Sequence, residues 1–227
     1  MKIGIIGRAG AGKDTVANIL RDECGFVVER FADPLKRAAL SVFGATFDDR
    51  NVKEVSQFVT EDMYDRMIDA TIALCHDLNF TSALELAVQD RFFQVLNCEG
   101  GPMSPRRFQQ LLGSDCIRAV CPNAFVDRVA YADQHNLSFI AIPDVRFENE
   151  LQTQNILVYR PGVAEVAAHP SEVLAQRLYE SVTLYDNSNG DLLAGTGIRV
   201  LRNEGSLEDL KIRTVQLWKS MEEEAGL

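Results

Sequence analysis

Residues 2–15 read KIGIIGRAGAGKDT and decide the fold, because a short apolar strand runs directly into a glycine-rich turn that ends in a lysine. The run KIGII is typical of a strand that is buried on both faces. In residues 7–12, the glycines allow the backbone to turn its N–H groups inward, and a helix is expected to begin at Lys13. We therefore predict that residues 7–12 form a phosphate-binding loop, the phosphate loop.

This loop matches the nucleotide-binding template G-x-x-x-x-G-K-[ST] at Gly7, Gly12 and Lys13, with one departure. Asp14 stands where the template has serine or threonine, and Thr15 follows one place later. One step along a helix turns a side chain by about 100°. We therefore expect Thr15 to contact an α-phosphate, and Mg²⁺ to depend on water, phosphate oxygens and a carboxylate from elsewhere. The structural alternative is a glycine-rich turn beside an incidental lysine.

Length and composition limit the classes of protein to which the chain can belong. Its 227 residues suffice for one α/β core with an inserted lobe. The net charge of −10 argues against nucleic acid and membrane surfaces as partners, so an anionic ligand must be held by a few local basic residues. Five cysteines without a C-x-x-C pair, and the lack of a long apolar run, predict a reduced, cytoplasmic protein.

Two charged residues, one acidic and one basic, are candidate ligand contacts after the second strand-like segment, FVVERFA. Asp33 and Lys36 begin the helix after it, and ligands of open parallel sheets bind at this carboxyl edge of the strands. A plain helix N-cap is the alternative role for Asp33. Residues 45–99 then show helical periodicity and contain eleven Asp and Glu against four Lys and Arg. We interpret them as a solvated helical insert for acceptor binding, within a single domain that spans residues 1–227.

Residues 104–115, SPRRFQQLLGSD, predict a helix that is capped by Ser104 and runs through Gln110. Arg106 and Arg107 lie on its first turn, where positive charge opposes the helix dipole. A bound anion would offset that cost, so we favour a phosphate role for at least one of the two. Two solvated surface arginines are the alternative.

The segment LSFIAIPD is the second strong strand, and it ends in the carboxylate of Asp144. In sheets of this type, a strand with such an ending lies beside the strand that feeds the phosphate loop, which would bring Asp144 close to Lys13. Arg146 and Glu148 follow directly. A turn aspartate after a proline is the alternative for Asp144.

The remaining segments complete a sheet. NILVYRPG and GIRVLR predict two further strands, and a helix with Ser206 as its cap closes the chain. Turn signals between the two strands predict a lid-like region at about residues 162–197. The expected fold class is therefore α/β, with a five-stranded, mostly parallel sheet flanked by helices and carrying a helical insert.

Taken in order, these segments resemble the deoxynucleoside monophosphate kinases of tailed bacteriophages, the family that includes the T-even phage enzyme. The matching stretches are GRAGAGKDT, FADPLKRAAL, RRFQQLLGSD, IPDVRFENE, VYRPG followed by His169 to Glu172, and NEGSLEDL. They extend over most of the chain, and the acidic insert and residues 163–197 match least. The resemblance implies a P-loop kinase fold and transfer of the ATP γ-phosphoryl group, with Mg²⁺, to a deoxynucleoside monophosphate (dNMP). Relatives favour dTMP, dGMP and modified dCMP.

A monophosphate acceptor attacks through an oxygen that is already ionised, so the reaction needs positioning and neutralisation of charge rather than a general base. We assign catalysis to Lys13, Arg106, Arg107, Asp144 and Arg146, and Mg²⁺ to Asp144 with Thr15. The acceptor is expected to contact Asp33, Lys36, Arg106, Arg107, Gln110, Asp144, Arg146 and Glu148. ATP is expected to contact Gly7, Arg8, Ala9, Gly10, Ala11, Gly12, Lys13, Asp14 and Thr15, with Arg160, Asn203 and Gly205 near the adenine.

Two other functions stay open. One is a nucleoside or other small-molecule kinase in which Asp33 takes a proton from a hydroxyl acceptor. The other is a nucleotide-binding regulator without catalysis, which the missing hydroxyl at position 14 keeps in view. The sequence also leaves open the preferred base, the closure of the lid-like region and the formation of a homodimer.

Overall fold

The computed structural model has an α/β architecture, with a five-stranded parallel sheet flanked by helices. It describes residues 1–44, 50–133, 139–163, 172–193 and 195–226. The strands are β1 (Lys2–Ile6), β2 (Val27–Val28), β3 (Ile140–Ile142), β4 (Gln154–Tyr159) and β5 (Ile198–Arg202). Their order is β2-β3-β1-β4-β5, and every neighbouring pair is parallel. The predicted fold class is confirmed.

Ten α-helices lie within the described ranges. They are α1 (Lys13–Cys24), α2 (Asp33–Phe43), α3 (Arg50–Lys53), α4 (Glu61–Asp77), α5 (Ser82–Glu99), α6 (Pro105–Gln110), α7 (Arg118–Val120), α8 (Ala124–Asp133), α9 (Val173–Tyr185) and α10 (Leu207–Ala225). A π-helix, Leu111–Ile117, joins α6 to α7, and a 3₁₀ turn, Glu148–Glu150, follows β3. No helix in the described part of the chain has both the length and the apolar character for crossing a bilayer.

The chain divides into two compact units. The first comprises Met1–Phe31 and Asp133–Leu227 and contains the sheet with α1, α9 and α10. The second, Ala32–Ala132, contains α2 to α7 and nearly all of α8. The single domain with an insert at 45–99 and a lid at 162–197 stays a prediction. Of those two regions, residues 45–49, 164–171 and 194 lie outside the described residues.

The first unit has its core around the central strands. β1 pairs with β3 on one side and β4 on the other, and Ile3, Ile5 and Ile6 are fully buried, as the apolar run predicts. β2 is shorter than the predicted segment FVVERFA. It lies at the sheet edge beside β3, which is itself only three residues long. A longer β2 would therefore find no further strand residues to pair with. Trp218 of α10 closes this side against Phe26 in an edge-to-face contact, with the ring centroids 4.7 Å apart.

The second unit has a helical core of its own. Phe92 of α5 and Phe108 of α6 are buried edge to face, with ring centroids 6.4 Å apart. The hydroxyl of Ser104 accepts the N–H of Arg107, so the predicted cap of α6 and its end at Gln110 are confirmed. The π-helix that follows has no counterpart in the predicted pattern. π-helical turns are rare and often occur at functional sites.

Candidate functional site

The phosphate loop connects β1 to α1 and ends in a helix start without a side-chain cap. Gly12 is the N-cap of α1, in a left-handed conformation (φ 101°), and it provides no side-chain hydrogen bond. The first N–H groups of an α-helix have no partner within the helix. Together with the helix dipole, these free donors make the start of α1 a binding site for an anion such as phosphate.

The carbonyl groups of the phosphate loop are held by side chains from other elements. The carbonyl of Gly10 accepts from the Arg160 guanidinium at 3.4 Å, and that of Ala11 accepts from Asn203 Nδ2 at 2.7 Å. In a trans peptide, the N–H of the next residue points opposite to the carbonyl. Fixing the Ala11 carbonyl therefore also fixes the direction of the Gly12 N–H.

Close packing explains the glycines at both ends of the phosphate loop. A Cβ on Gly7 would lie 2.8 Å from the carbonyl oxygen of Val158, which is backbone and has little room to move. A Cβ on Gly12 would lie 2.6 Å from Asn203 Nδ2. The loop is thus pressed against the ends of β4 and β5.

Lys13 occupies the centre of a group of charges. Its Nζ donates to the carbonyl of Arg8 at 3.0 Å. Burial lowers the pKa of Lys13 below its usual value, and the nearby Arg146 lowers it further, whereas Glu172, Asp14 and Asp144 raise it. The ammonium group is therefore poorly solvated, and an anion that binds beside it would meet little competition from water.

Asp144 follows the strand that pairs with β1, as predicted. β3 lies directly beside β1, and the Asp144 carboxylate contributes to the electrostatic environment of Lys13. Asp144 Oδ1 accepts the N–H of Phe31 at 3.0 Å, which orients the carboxylate. Thr15, the other predicted metal ligand, lies half-buried in the first turn of α1.

The donor set fits a magnesium ion that arrives with phosphate oxygens. No group of three or more His, Cys, Asp or Glu side chains suited to a metal occurs among the described residues. Mg²⁺ keeps several waters and is commonly bound by one or two carboxylates together with substrate phosphates. Asp144 with Thr15 would be a suitable pair for an ion of that kind.

Arg146 is anchored both by its backbone and by its side chain. The carboxylate of Glu150, which is 1% exposed, accepts the N–H of Arg146 at 2.8 Å and that of Phe147 at 3.2 Å. The Arg146 guanidinium pairs with Glu172 at 2.6 Å. Glu148 instead forms an exposed ion pair with Arg177, at 2.7 Å.

Arg8 sends its side chain out of the phosphate loop towards α9. Its guanidinium lies over the ring of Tyr179, 4.5 Å from the centroid, and it donates to the Val163 carbonyl at 3.4 Å and to Gln176 Oε1. An open cavity of about 480 Å³ borders these groups. Its walls are formed by Arg8, Tyr159, Arg160, Pro161, Gly162, Val163, Tyr179, Glu180, Thr183 and Leu184.

Three ATP candidates remain: Asp14, Gly205 and Ala9. Asp14 is exposed and accepts from Arg30 at 3.2 Å. Gly205 has a positive φ of 111°, and a Cβ there would lie 2.7 Å from the carboxylate of Asp209. Ala9 is exposed at the tip of the loop.

The acceptor candidates of the second unit hold carboxylates. Arg106 pairs with Glu54 at 3.1 Å, and Arg107 pairs with both Glu99 and Asp115. The Glu99 pKa is lowered, mainly by the hydrogen bond from Arg107. The anions that offset the unfavourable helix dipole at these arginines are therefore side chains in this structure.

Two further acceptor candidates, Asp33 and Lys36, lie on the first turn of α2. Their charged groups are 3.7 Å apart. Ala32 is the N-cap of α2, so the alternative role of Asp33 as the cap is wrong. Gln110, at the end of α6, is half-buried.

Sequence reasoning missed three residues that shape the site: Glu150, Glu172 and Tyr179. The contacts of Glu172 and Tyr179 bridge 26 and 21 residues of sequence, respectively. No spacing rule connects positions so far apart. Glu150 is different, because the two N–H groups that it accepts belong to residues only four and three positions earlier in the chain.

Comparison with known proteins gives one relative of high coverage. A protein of Acanthamoeba polyphaga mimivirus, named "Putative deoxynucleotide monophosphate kinase", is 30% identical over 190 residues. The aligned region covers 75% of this chain and 80% of the mimivirus protein. No protein-family model matches the chain.

Proposed function

Because the chain belongs to the deoxynucleotide monophosphate kinase family, we propose that it transfers the γ-phosphoryl group of ATP to a dNMP and releases a dNDP. The observation that carries this proposal is the uncapped start of α1 at Gly12, with the Lys13 ammonium beside it. This arrangement suits a polyphosphate, since it combines backbone donors, a helix dipole and a poorly solvated cation.

The donor nucleotide is proposed to bind along the phosphate loop. Lys13 would leave the carbonyl of Arg8 and contact the β- and γ-phosphates, while the N–H groups of residues 10–12 bind the same phosphates. Thr15 would contact the α-phosphate. Arg160 and Asn203 already hold the loop carbonyls, and they would border the adenine together with Gly205.

Mg²⁺ is proposed to accompany the phosphates, with Asp144 orienting the ion or its waters. When bound, the ion neutralises charge on the transferring group. The Phe31 N–H, at 3.0 Å, holds the Asp144 carboxylate in one orientation. The orientation is thus set before the ion arrives.

The acceptor phosphate is proposed to bind arginines whose guanidinium groups pair with carboxylates in this structure. Arg146 would exchange the carboxylate of Glu172 for a phosphate, with Glu148 nearby in sequence. Among the other candidates, Arg106 pairs with the exposed Glu54, and exposed ion pairs contribute only about 0–1 kcal/mol. Arg107 holds two carboxylates, so its recruitment costs more. Asp33, Lys36 and Gln110 are proposed to contact the rest of the acceptor.

The chemistry needs no general base, because the attacking phosphate oxygen is already ionised. The residues instead align donor and acceptor and neutralise the charge on the transferring group. A hydroxyl acceptor would need a base such as Asp33, and the acceptor preference therefore separates the two kinds of kinase.

An acceptor screen tests the proposal. The purified protein is given ATP and Mg²⁺ with each of the four common dNMPs, with thymidine as the hydroxyl acceptor, and with no acceptor. We expect a dNDP from at least one dNMP and no product from thymidine. Turnover of thymidine alone would contradict the assignment, and ATP binding without any product would support a regulator.

A further inference from the structure

Tyr179 of α9 joins two parts of the nucleotide site through one buried hydroxyl. The side chain is 3% exposed, and its hydroxyl donates to the carbonyl of Val158 at 2.8 Å and accepts the N–H of Arg160 at 3.2 Å. On the same ring lies the guanidinium of Arg8, which belongs to the phosphate loop. Tyr179 therefore contacts the loop residue Arg8 directly. It also contacts the backbone of Arg160, whose side chain donates to the carbonyl of the loop residue Gly10.

We propose that Tyr179 is a positioning residue that fixes the phosphate loop for ATP through Arg8 and Arg160. This inference rests on the proposed function only in taking ATP as the ligand of the loop. It assigns Arg8 a role as the anchor of the loop, in addition to the predicted contact with ATP.

The phosphate loop needs such an anchor because of its glycines. Gly10 and Gly12 have φ values of 81° and 101°, and a Cβ on Gly10 would meet no atom within 4 Å. Glycine segments lose more conformational freedom on ordering than other residues. If the loop were ordered only on binding, part of the binding free energy of ATP would be lost to that ordering.

Three contacts outside the loop reduce this loss. Asn203 holds the carbonyl of Ala11, Arg160 holds that of Gly10, and Arg8 is held by Tyr179 with its neighbours Gln176 and Val163. Two of the three depend on Tyr179. Its hydroxyl binds the backbone of Arg160, and its ring carries the guanidinium of Arg8.

The chemistry of the tyrosine suits this role. A planar guanidinium stacks on an aromatic face more effectively than an ammonium does. Burial raises the Tyr179 pKa, although the backbone N–H groups of Arg160 and Arg8 oppose the rise, so the hydroxyl remains protonated and able to donate. Phenylalanine would keep the ring but leave the Val158 carbonyl and the Arg160 N–H without this partner.

The chain offers a matched control in Tyr159. Its ring packs against that of Tyr179 at a tilt of 45°, with centroids 4.9 Å apart, and its exposed hydroxyl lies 3.4 Å from that of Thr183. Tyr179→Phe and Tyr159→Phe each remove one oxygen from the same pair of rings. We measure KM for ATP, KM for the dNMP, kcat and Tm for both variants.

We expect Tyr179→Phe to raise KM for ATP by about 5- to 30-fold, because the Val158 carbonyl and the Arg160 N–H lose a partner and the residue that holds the Gly10 carbonyl is no longer fixed. KM for the dNMP should change less than about twofold, and Tyr159→Phe should raise KM for ATP much less than Tyr179→Phe does. An unchanged KM for ATP in a folded Tyr179→Phe protein would overturn the proposal. Equal increases in both KM values would overturn it too, because they would indicate general loosening.

Substitutions at Arg8 test the contact between the phosphate loop and the Tyr179 ring from the loop side. Arg8→Met should raise KM for ATP, and Arg8→Lys should restore little, because lysine lacks the planar fork. The double variant Arg8→Met/Tyr179→Leu, in which the ring under Arg8 is also removed, should raise KM for ATP by less than the product of the increases in Arg8→Met and Tyr179→Leu. Independent, multiplicative effects would contradict a shared anchor.

Direct ATP binding separates this inference from the proposed function. Calorimetric titration with ATP and Mg²⁺ needs no acceptor, so it reports on the anchor even if no dNMP is phosphorylated. A Kd for ATP that rises about 5- to 30-fold in Tyr179→Phe supports the anchor. A Kd equal to that of Tyr159→Phe and of wild type contradicts it.

Discussion

Lys13 places the requirements of stability and binding in conflict. Burial, together with Arg146, lowers its pKa below the usual 10.5, so the folded state holds this proton less tightly than the unfolded state does. The resulting cost to the free energy of unfolding is fully present below the pKa of Lys13 in the folded state. It disappears as the pH rises past the pKa of lysine in the unfolded state. A residue that is unfavourable for folding in this way is typical of a functional position.

We therefore expect Lys13→Met to raise Tm at pH 7 while lowering kcat by a factor on the order of 10³. Methionine keeps an unbranched apolar stem and removes the buried charge. The advantage in Tm should shrink as the pH rises from the lowered folded-state pKa towards 10.5, and vanish above 10.5, where lysine becomes neutral in both states. Thermal unfolding of both proteins across this range is the measurement. A variant that is less stable at pH 7 would show that Lys13 stabilises the fold.

Asp144→Asn tests the proposed magnesium contact. Asparagine can still accept the N–H of Phe31, which lies 3.0 Å from the present carboxylate, so the local fold should persist. Loss of the negative charge should raise the Mg²⁺ concentration for half-maximal turnover by about tenfold or more. The measurement is a Mg²⁺ titration of the rate at saturating ATP. An unchanged titration would remove Asp144 from the metal site.

Glu150 is predicted to be the main support of the turn that carries Arg146. In Glu150→Ala, two N–H groups lose their acceptor, which should cost about 2–4 kcal/mol. For a chain of this size, each kcal/mol lowers Tm by about 2–4 °C. The control is Glu148→Ala, which removes an exposed ion pair and should change the free energy of unfolding by less than about 1 kcal/mol. Equal losses in both variants would contradict the support role.

Sequence and structure agree best where a residue acts through its neighbours in the chain. Asp144 closely follows β3, and Lys13 follows β1 after the phosphate loop, so the pattern alone brings both to the same edge of the sheet. Tyr179 and Glu172 act through residues more than 20 positions away. Their roles depend on how α9 packs on β4, which no local pattern encodes.

At the level of elements, local chemistry set the boundaries and tertiary pairing set the lengths. The capping box of Ser206 with Asp209 begins α10, as the predicted cap indicates. Gly25, in a left-handed conformation, ends α1. β2 has only two residues, although FVVERFA is strand-like, because its edge position beside the short β3 leaves few partners. The π-helix was likewise beyond prediction, because its register depends on packing in the second unit.

The junction of the phosphate loop with α1 yields a prediction for two glycines. Gly10→Ala should weaken ATP binding only through backbone strain, since its φ is 81° and the space is open. The cost of this conformation is about 1–2 kcal/mol. Gly12→Ala should weaken ATP binding more than Gly10→Ala does. Its Cβ would also collide with Asn203, 2.6 Å away, and displace that side chain from the carbonyl of Ala11.

Asn203→Ala is the matched variant for the collision. In the double variant Gly12→Ala/Asn203→Ala the clash is absent, so the combined loss in ATP affinity should be smaller than the sum of the single losses. The measurement is the Kd for ATP by calorimetric titration, for the wild type, Gly10→Ala, Gly12→Ala, Asn203→Ala and the double variant. Strict additivity would mean that the two side chains do not compete for the same space.

Across the whole molecule, the charge distribution constrains how the two proposed nucleotides would bind. The net charge is −10, and residues 45–99 contribute eleven acidic side chains against four basic ones. Binding must therefore depend on short-range cations such as Lys13 and Arg146, because the field of the protein as a whole is repulsive. Composition alone leads to this prediction, and the structure adds that Arg146 already holds a carboxylate.

The five free cysteines report on the packing of both units, and we expect them to react in a defined order. Cys98 is exposed and should react with a disulfide reagent first, whereas the half-buried Cys24 and Cys121 should follow slowly. Burial raises the pKa of Cys75 and of Cys116 to about 12, so at pH 8 only about one thiol in 10⁴ would be ionised even if reagent reached it.

Cys75 and Cys116 should therefore be modified only when the helices of the second unit open, with a rate that rises with denaturant. The measurement is the time course of thiol release at increasing urea, followed by mass spectrometry of the labelled peptides. Cys98→Ser serves as the control, because it should remove the fast phase and leave the others unchanged. Rapid labelling of Cys116 without denaturant would show that the packing around the π-helix opens under native conditions, since a closed core would keep both reagent and water from the thiol.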